Sequence, residues 1–296
     1  MKKLGLIICS LFFSVSVFAQ KTTPVVENLG LKNVKNARDI GGYQIDGKTI
    51  KKGLLFRSGD LSSIGLDDLK TLESTLNIGL IFDIRAQFEH DEYPDFVPDN
   101  VLYASIPCLS QTMKLFYLPE NRQSTSNDEL VSRIDYYLDS IDTKEVKMLA
   151  QNFYPYIINS RGFKDDMGEI LEHMTTDSEG KAVLLHSSFG THRVGWVVSF
   201  ILAALGADRE TITKEFLKSN EYYKEYIDYA VSQAKARQYT DEQIETVTSL
   251  ISVSEKNLNE CLDKIEEMFG SLDGYLTRVI KVDDVTKVNL KLMFLE

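Results

Sequence analysis

His186-Ser187-Ser188-Phe189-Gly190-Thr191-His192-Arg193-Val194-Gly195 is the stretch on which the fold turns. It is preceded by the apolar run Lys181 to His186 (KAVLLH), short enough for a buried strand, and followed by VGWVVSFILAAL, which Gly206 ends. The second run is long enough for a helix buried on most sides and too short for a comfortable membrane span. A loop that leaves a buried strand and enters a buried helix gathers backbone N–H groups at a helix N-terminus. There both the unpaired donors and the dipole favour an anion. Arg193 adds a side chain able to grip a phosphate or carboxylate through two parallel hydrogen bonds. The segment reads as an oxyanion cradle, with Ser188, Phe189, Gly190, Thr191, His192 and Arg193 as its binding residues.

Working outward, residues 54–58 (LLFRS), 78–85 and 101–107 are further short apolar runs bounded by turn residues, and each reads as a buried strand. Leu66, Leu69, Leu72 and Leu76 fall at helical spacing between the first two, so a helix joins them and the sheet is expected to be largely parallel. Residues 110–175 are helical in pattern and rich in aromatics. They have two readings, a flank packed on the sheet or a cap over the site, since a long insertion just before a catalytic strand often gates it. The C-terminal third reads as all helix, with Ser252 and Glu255 as a capping box and a stripe of Leu258, Cys261, Leu262, Ile265, Met268 and Phe269 closed by Gly270. The fold class is therefore α/β: a mainly parallel central sheet flanked by helices, with a helical insertion and an all-helical end.

The first twenty residues carry a basic start, an apolar run from Leu4 to Val17 and a small residue at Ala19. These are the parts of a secretory signal peptide, so the chain is expected to be exported, periplasmic or secreted, with cleavage near Ala19. Cys9 follows Ile8 rather than a small residue, which disfavours a lipid anchor. The mature chain, residues 21–296, has no linker-like stretch and is expected to form one domain. The chain's net charge is −11, and loss of Lys2 and Lys3 makes the mature protein more acidic still. That balance excludes nucleic acid or anionic membrane as the general partner. Cys108 and Cys261 are the cysteines left after processing; one disulfide between them or two buried thiols are both open. No metal-ligand spacing and no dinucleotide fingerprint stands out, so neither metal nor cofactor is expected.

The loop resembles that of the atypical bacterial tyrosine and lipid phosphatases, a branch of the cysteine-dependent tyrosine phosphatases whose loop reads H-C-x-x-G-x-x-R, often HCTAGKDRTG. Other blocks follow in the same order. Asn36 to Tyr43 (NARDIGGY) is similar to the family's NFRDLGGY, Leu55 to Leu61 (LFRSGDL) to its next block, and Phe82 to Glu89 with Pro94 to its DLRxxxE…P block. Gly206 to Ile212, Phe216 to Asn220, and Gly270-Ser271 with Tyr275-Leu276 resemble later segments. The resemblance implies a tyrosine-phosphatase-like fold and a two-step reaction: a thiolate attacks phosphorus, the loop arginine holds the transition state, an acid protonates the leaving oxygen, and the phosphocysteine then hydrolyses. Carried over, Ser187 stands at the nucleophile position, Arg193 at the phosphate-binding arginine, His186 at the supporting histidine and Gly190 at the loop glycine. The implied partner is a phosphorylated protein or a small phosphoester.

Four positions depart from that pattern: Ser187 for cysteine, Thr191 for lysine, His192 for aspartate and Val194 for a hydroxyl residue. A serine hydroxyl is a poor nucleophile without a base, and the dipole that ionises a thiol does not ionise it. Ser187 fits either an engineered substrate trap or a naturally drifted loop, and the three further departures favour drift. His192 occupies the position of a candidate general acid and could also act as base to Ser187. Arg38 and Asp39 lie in a Gly-rich turn expected to approach the pocket, as supporting or substrate-contacting residues. Asp83 and Arg85 read as a buried ion pair. Two functions follow: a phosphomonoester hydrolase impaired by Ser187, or a phosphatase-like protein that binds phosphate or another anion without turnover.

Overall fold

The computed structural model describes residues 29–107, 126–150 and 160–296. The expected leader, Cys108 and parts of the 110–175 insertion lie outside the described residues. Strands β1 (Arg38–Asp39), β4 (Leu55–Ser58), β5 (Ile78–Asp83), β6 (Leu102–Ser105) and β7 (Ala182–His186) form one sheet in the order β1-β4-β7-β5-β6, while β2 (Gln44–Ile45) and β3 (Lys48–Thr49) make a separate hairpin. Strands β4, β7, β5 and β6 run parallel, and β1 is antiparallel to β4. The apolar runs thus became the strands expected of them, and the two-residue β1 and hairpin were too short to leave a periodic signal.

Period-two alternation decides which side of the sheet each strand residue faces. In β7, Val183 and Leu185 join the larger core while Ala182 and Leu184 face the smaller one. In β5, Leu80 and Phe82 point to the first and Ile81 to the second. The larger core is closed by helices α4 (Arg161–Thr176), α5 (His192–Leu205), α9 (Glu255–Phe269) and α11 (Asp284–Phe294), the smaller by α1 (Leu66–Lys70) with its π-helical extension to Thr75 and the segment from Leu31. Every residue of α5 except Ala203 is buried, as its unbroken apolar run requires.

A third apolar cluster lies beside the sheet, made by α3 (Glu129–Asp139), α7 (Lys224–Ala236) and α8 (Asp241–Ile251). The described parts of the insertion therefore go to two places, α3 into this cluster and α4 into the main core through Phe163, Met167 and Ile170. Further helices are α2 (Gln87–Glu92), α6 (Arg209–Tyr222) and the short α10 (Leu272–Tyr275), with a helical stretch over 144–150 and a π-helical segment Leu276–Ile280. One expected boundary moves: Ser252 closes α8, and α9 is capped instead by Ser254, whose hydroxyl accepts from Asn257 N at 3.3 Å. Gly270 ends α9 in the left-handed region, φ 80°, as expected.

The strand register fixes the site. Ser58 pairs with His186, His186 with Asp83, and Asp83 with Ser105, so four parallel strands end in one row. Loops leaving the carboxyl ends of parallel strands are where such sheets bind ligands.

Candidate active site

Residues Ser187 to Thr191 leave β7 at the centre of that row and turn into α5. Gly190 makes the turn possible. Its φ is +59°, and a Cβ there would lie 2.2 Å from the carbonyl oxygen of Ser58, so only glycine fits. Ser187 is 2 % exposed, and its hydroxyl accepts a hydrogen bond from Gly190 N at 3.2 Å. Among the described residues no carboxylate or imidazole lies within hydrogen-bond reach of that hydroxyl.

The loop is held by its carbonyls from behind. Tyr223 Oη donates to the Phe189 carbonyl at 2.7 Å, and Asn36 Nδ2 donates to the carbonyls of Gly190 at 2.7 Å and Phe189 at 3.4 Å. Arg57 Nη2 donates to Gly190 O at 2.7 Å and Thr191 O at 3.2 Å. The peptides are trans, so each N–H points opposite to the carbonyl before it. Pinning the Phe189 carbonyl aims the Gly190 N–H at Ser187, and pinning those of Gly190 and Thr191 turns the N–H groups of Thr191 and His192 away from Arg57. Phe189 itself is packed against the α3–α7–α8 cluster, with the Arg133 guanidinium 5.0 Å from its ring centroid.

Arg193 sits at the first turn of α5 and is almost fully occupied by a carboxylate. Its Nη1 donates to Glu89 Oε2 at 2.6 Å and its Nη2 to Glu89 Oε1 at 2.8 Å, and Nη2 also reaches Ser188 Oγ at 3.3 Å. Ser188 Oγ in turn donates to Glu89, which also accepts from Ala86 N at 2.7 Å. Glu89 is buried on α2, 104 residues from Arg193 in sequence. Its place in the DLRxxxE-like block was legible, but its partner was not.

His186 is fully buried with its Nε2 3.0 Å from Asp95 and 3.8 Å from Asp83. Burial disfavours its charge, but the two carboxylates outweigh that and hold the imidazole above its ordinary pKa. Arg85 pairs with Asp83 at 2.8 Å and with Asp95 at 2.7 Å, and Tyr103 Oη donates to both at 2.6 and 2.9 Å. No metal cluster was expected from spacing, yet the fold brings potential ligand atoms of Asp83, Asp95 and His186 within 4.8 Å of one another. The set does not suit a cation, because the guanidinium and phenol already neutralise and fill the carboxylates.

Two expectations about the pocket need correcting. His192 is only 9 % exposed, its ring bonded to the backbone of Ser252 and Ser249, with Nδ1 3.2 Å from Thr191 Oγ1. Burial lowers its pKa to about 4, so it is neutral near pH 7 and directed at the end of α8 rather than at a leaving group. Its position as first residue of α5 explains this: the helix face it occupies meets α8, not the loop. Asp39 also stays away from the pocket. Its carboxylate accepts from Gly41 N and Gly53 N, both at 2.7 Å, and so holds the turn one pair further from the strand ends than Arg38. Arg38 lies behind the loop, bonded to Glu215 and Asn36. Beside the loop opens a cleft of about 640 Å³ lined by Lys35, Asn36, Asp60, Asp128, Ser188 and Tyr222 among others.

A strand, a glycine-turned loop closing on an arginine, and a buried helix follow one another here in the order the sequence resemblance implied. The model of the tyrosine phosphatase family matches residues 29–296, and the chain belongs to that family. It is 25 % identical over 260 residues to a Cupriavidus necator protein named "Putative tyrosine-protein phosphatase", covering 86 % of this chain and 85 % of that one. It is also 25 % identical over 241 residues to the triple specificity protein phosphatase PtpB of Mycobacterium tuberculosis, covering 77 % of this chain and 86 % of that protein.

Proposed function

We propose that loop 187–193 binds the phosphoryl group of a phosphomonoester, and that the chain is a hydrolase of the tyrosine phosphatase type whose turnover is impaired by Ser187. The observation that carries this reading is the set of carbonyls pinned back by Tyr223, Asn36 and Arg57, with the Gly190 N–H on the Ser187 hydroxyl at 3.2 Å and the next two N–H groups on the side away from Arg57. Arg193 contributes rigidity and part of its fork, with Glu89 and Ser188 fixing its plane. In a relative with cysteine at this position, the same donors would stabilise a thiolate. Attack of the thiolate on phosphorus would break the bond to the ester oxygen, which leaves taking a proton from water; a second water would then attack phosphorus, break the sulfur–phosphorus bond and release phosphate and the thiolate.

A second reading, binding without turnover, is favoured by one observation. Among the described residues the Ser187 hydroxyl meets an N–H donor and no base, and a hydroxyl so placed stays protonated. Under either reading the loop binds phosphate. Isothermal calorimetry with phosphate tests it on the native chain and on Arg193→Met combined with Glu89→Gln, since Arg193→Met alone would strand a buried carboxylate. The double variant should lose roughly tenfold or more in affinity, the scale of a charge-assisted pair. Equal affinity in both proteins would remove the loop as the site.

A further inference from the structure

Among the described residues, the charges behind the loop do not cancel. Arg38 Nη2 lies 2.8 Å and Arg57 Nη1 3.2 Å from the same oxygen of Glu215, and all three side chains are buried. Tyr43 Oη donates to the other Glu215 oxygen at 2.8 Å and brings no charge. Two guanidiniums on one carboxylate leave an excess of one positive charge. The Asp39 carboxylate, the nearest acid in sequence, is turned to backbone N–H groups of Gly41 and Gly53 instead. Elsewhere around the loop Arg193 is matched by Glu89, and Asp83 and Asp95 face Arg85 and His186, whose imidazole they hold above its ordinary pKa. His192 is neutral near pH 7, and Thr191 brings no charge to the loop. Asp60 lies on the cleft side, partly open to solvent and bonded to Ser62. An unbalanced buried charge is costly unless something compensates it.

Arg57 is also placed to pass that charge on. Its Nη2 holds the carbonyl ends of the Gly190 and Thr191 peptides. Each of those planes ends in an N–H on its far side, so the guanidinium polarises the donors that face the loop. We propose that Arg57, with Arg38 and Glu215, is the charge reserve of the anion site. It acts through the loop peptides rather than by contact and makes the site select dianions over monoanions. The inference rests on the reading of loop 187–193 as an anion site. These are positioning and specificity-determining residues, and the occupant they select is a tetrahedral dianion such as a phosphomonoester group, in preference to a singly charged diester.

Tungstate and perrhenate have the same shape and differ by one charge, so the test is calorimetric titration of both into four proteins at pH 7.5: the native chain, Glu215→Gln, Arg38→Met and Arg38→Lys. Glu215→Gln raises the buried charge by one and should tighten tungstate about tenfold and perrhenate about threefold, a scale that corresponds to one charge acting across partly screened protein. Arg38→Met should weaken them by similar factors, and Arg38→Lys, which keeps the charge, should stay within about twofold of the native chain. A purely structural role predicts the opposite for Glu215→Gln, namely weaker binding of both anions in equal proportion, and that result would overturn the proposal. If Glu215→Gln does not fold, the Arg38 pair decides: equal tungstate-to-perrhenate ratios in Arg38→Met and Arg38→Lys overturn it. Binding by the native chain with a ratio unmoved by any variant sinks the charge reserve while leaving the anion site standing. No binding of either anion by the native chain overturns both.

Discussion

Replacing Gly190 with alanine tests the geometry of the loop more sharply than removing any of its side chains. Gly190 has φ +59°, and an added Cβ would lie 2.2 Å from Ser58 O, 2.4 Å from Ser58 C and 2.7 Å from Gly59 N. None of these can swing aside, because Ser58 ends β4 in register with His186 and Gly59 N is bonded to Lys35 O at 2.7 Å. A left-handed alanine costs about 1–2 kcal/mol, overpacking against backbone about 1–3 kcal/mol, and a weakened Gly190 N–H bond to Ser187 about 1 kcal/mol. The sum is about 3–6 kcal/mol, and for a domain of this size it lowers Tm by roughly 6–24 °C. Gly180→Ala is the internal control, since Gly180 has φ +77° with no atom within 4 Å of its Cβ position. It should lose only the conformational share, about 1–2 kcal/mol. Differential scanning calorimetry with and without 10-fold excess phosphate over its dissociation constant reads both effects, and Gly190→Ala should also lose the phosphate-induced rise in Tm. If the two alanine variants are equally stable and equally stabilised by phosphate, Ser58 does not fix the loop and the account of the cradle is wrong.

Two further outcomes follow from the same contacts. His192 has a folded pKa of about 4 against an ordinary 6.5, so the folded state binds fewer protons and its stabilising contribution is fully present above about pH 6.5 and lost as pH falls toward 4. Urea unfolding at pH 7.5 and pH 5 should therefore show His192→Gln less acid-sensitive than the native chain by about 2 kcal/mol; parallel pH dependence would mean His192 is not buried neutral. Tyr223→Phe removes the 2.7 Å hydrogen bond to Phe189 O and should cost about 1 kcal/mol of stability and roughly threefold in phosphate affinity. A loss of stability with affinity unchanged would show that this carbonyl does not orient the loop.

The strand-loop-helix unit was legible because it is local: an apolar run, a glycine and a second apolar run report their own conformation. The parallel sheet was legible for the same reason. What held the loop in place was not, since Arg38 meets Glu215 across 177 residues and Arg193 meets Glu89 across 104. Buried charge pairs of this kind leave no periodic trace: the sequence blocks held Arg38, Glu89 and Arg193 without joining them to partners, and Glu215 fell in none of them. His192 was misread because a motif position says which residue stands beside the arginine but not which way the first turn of the helix points its ring. Ser252 was misread by two residues because both Ser252 and Ser254 suit a helix boundary, and packing of α8 decided between them.

On the proposed reading, this chain carries a phosphatase-type loop with serine at the position of the attacking atom. Val194, in place of a hydroxyl residue, should slow release of the thiolate in the second step, so full turnover is not required by the claim. Steady-state and rapid-quench assays of a small aryl phosphate with the native chain and with Ser187→Cys are the direct measurement. The account predicts that the cysteine variant gains orders of magnitude over the serine form, as a burst or as turnover, because the Gly190 N–H and the start of α5 already face the sulfur position. A folded, phosphate-binding Ser187→Cys protein that shows neither burst nor turnover would contradict it.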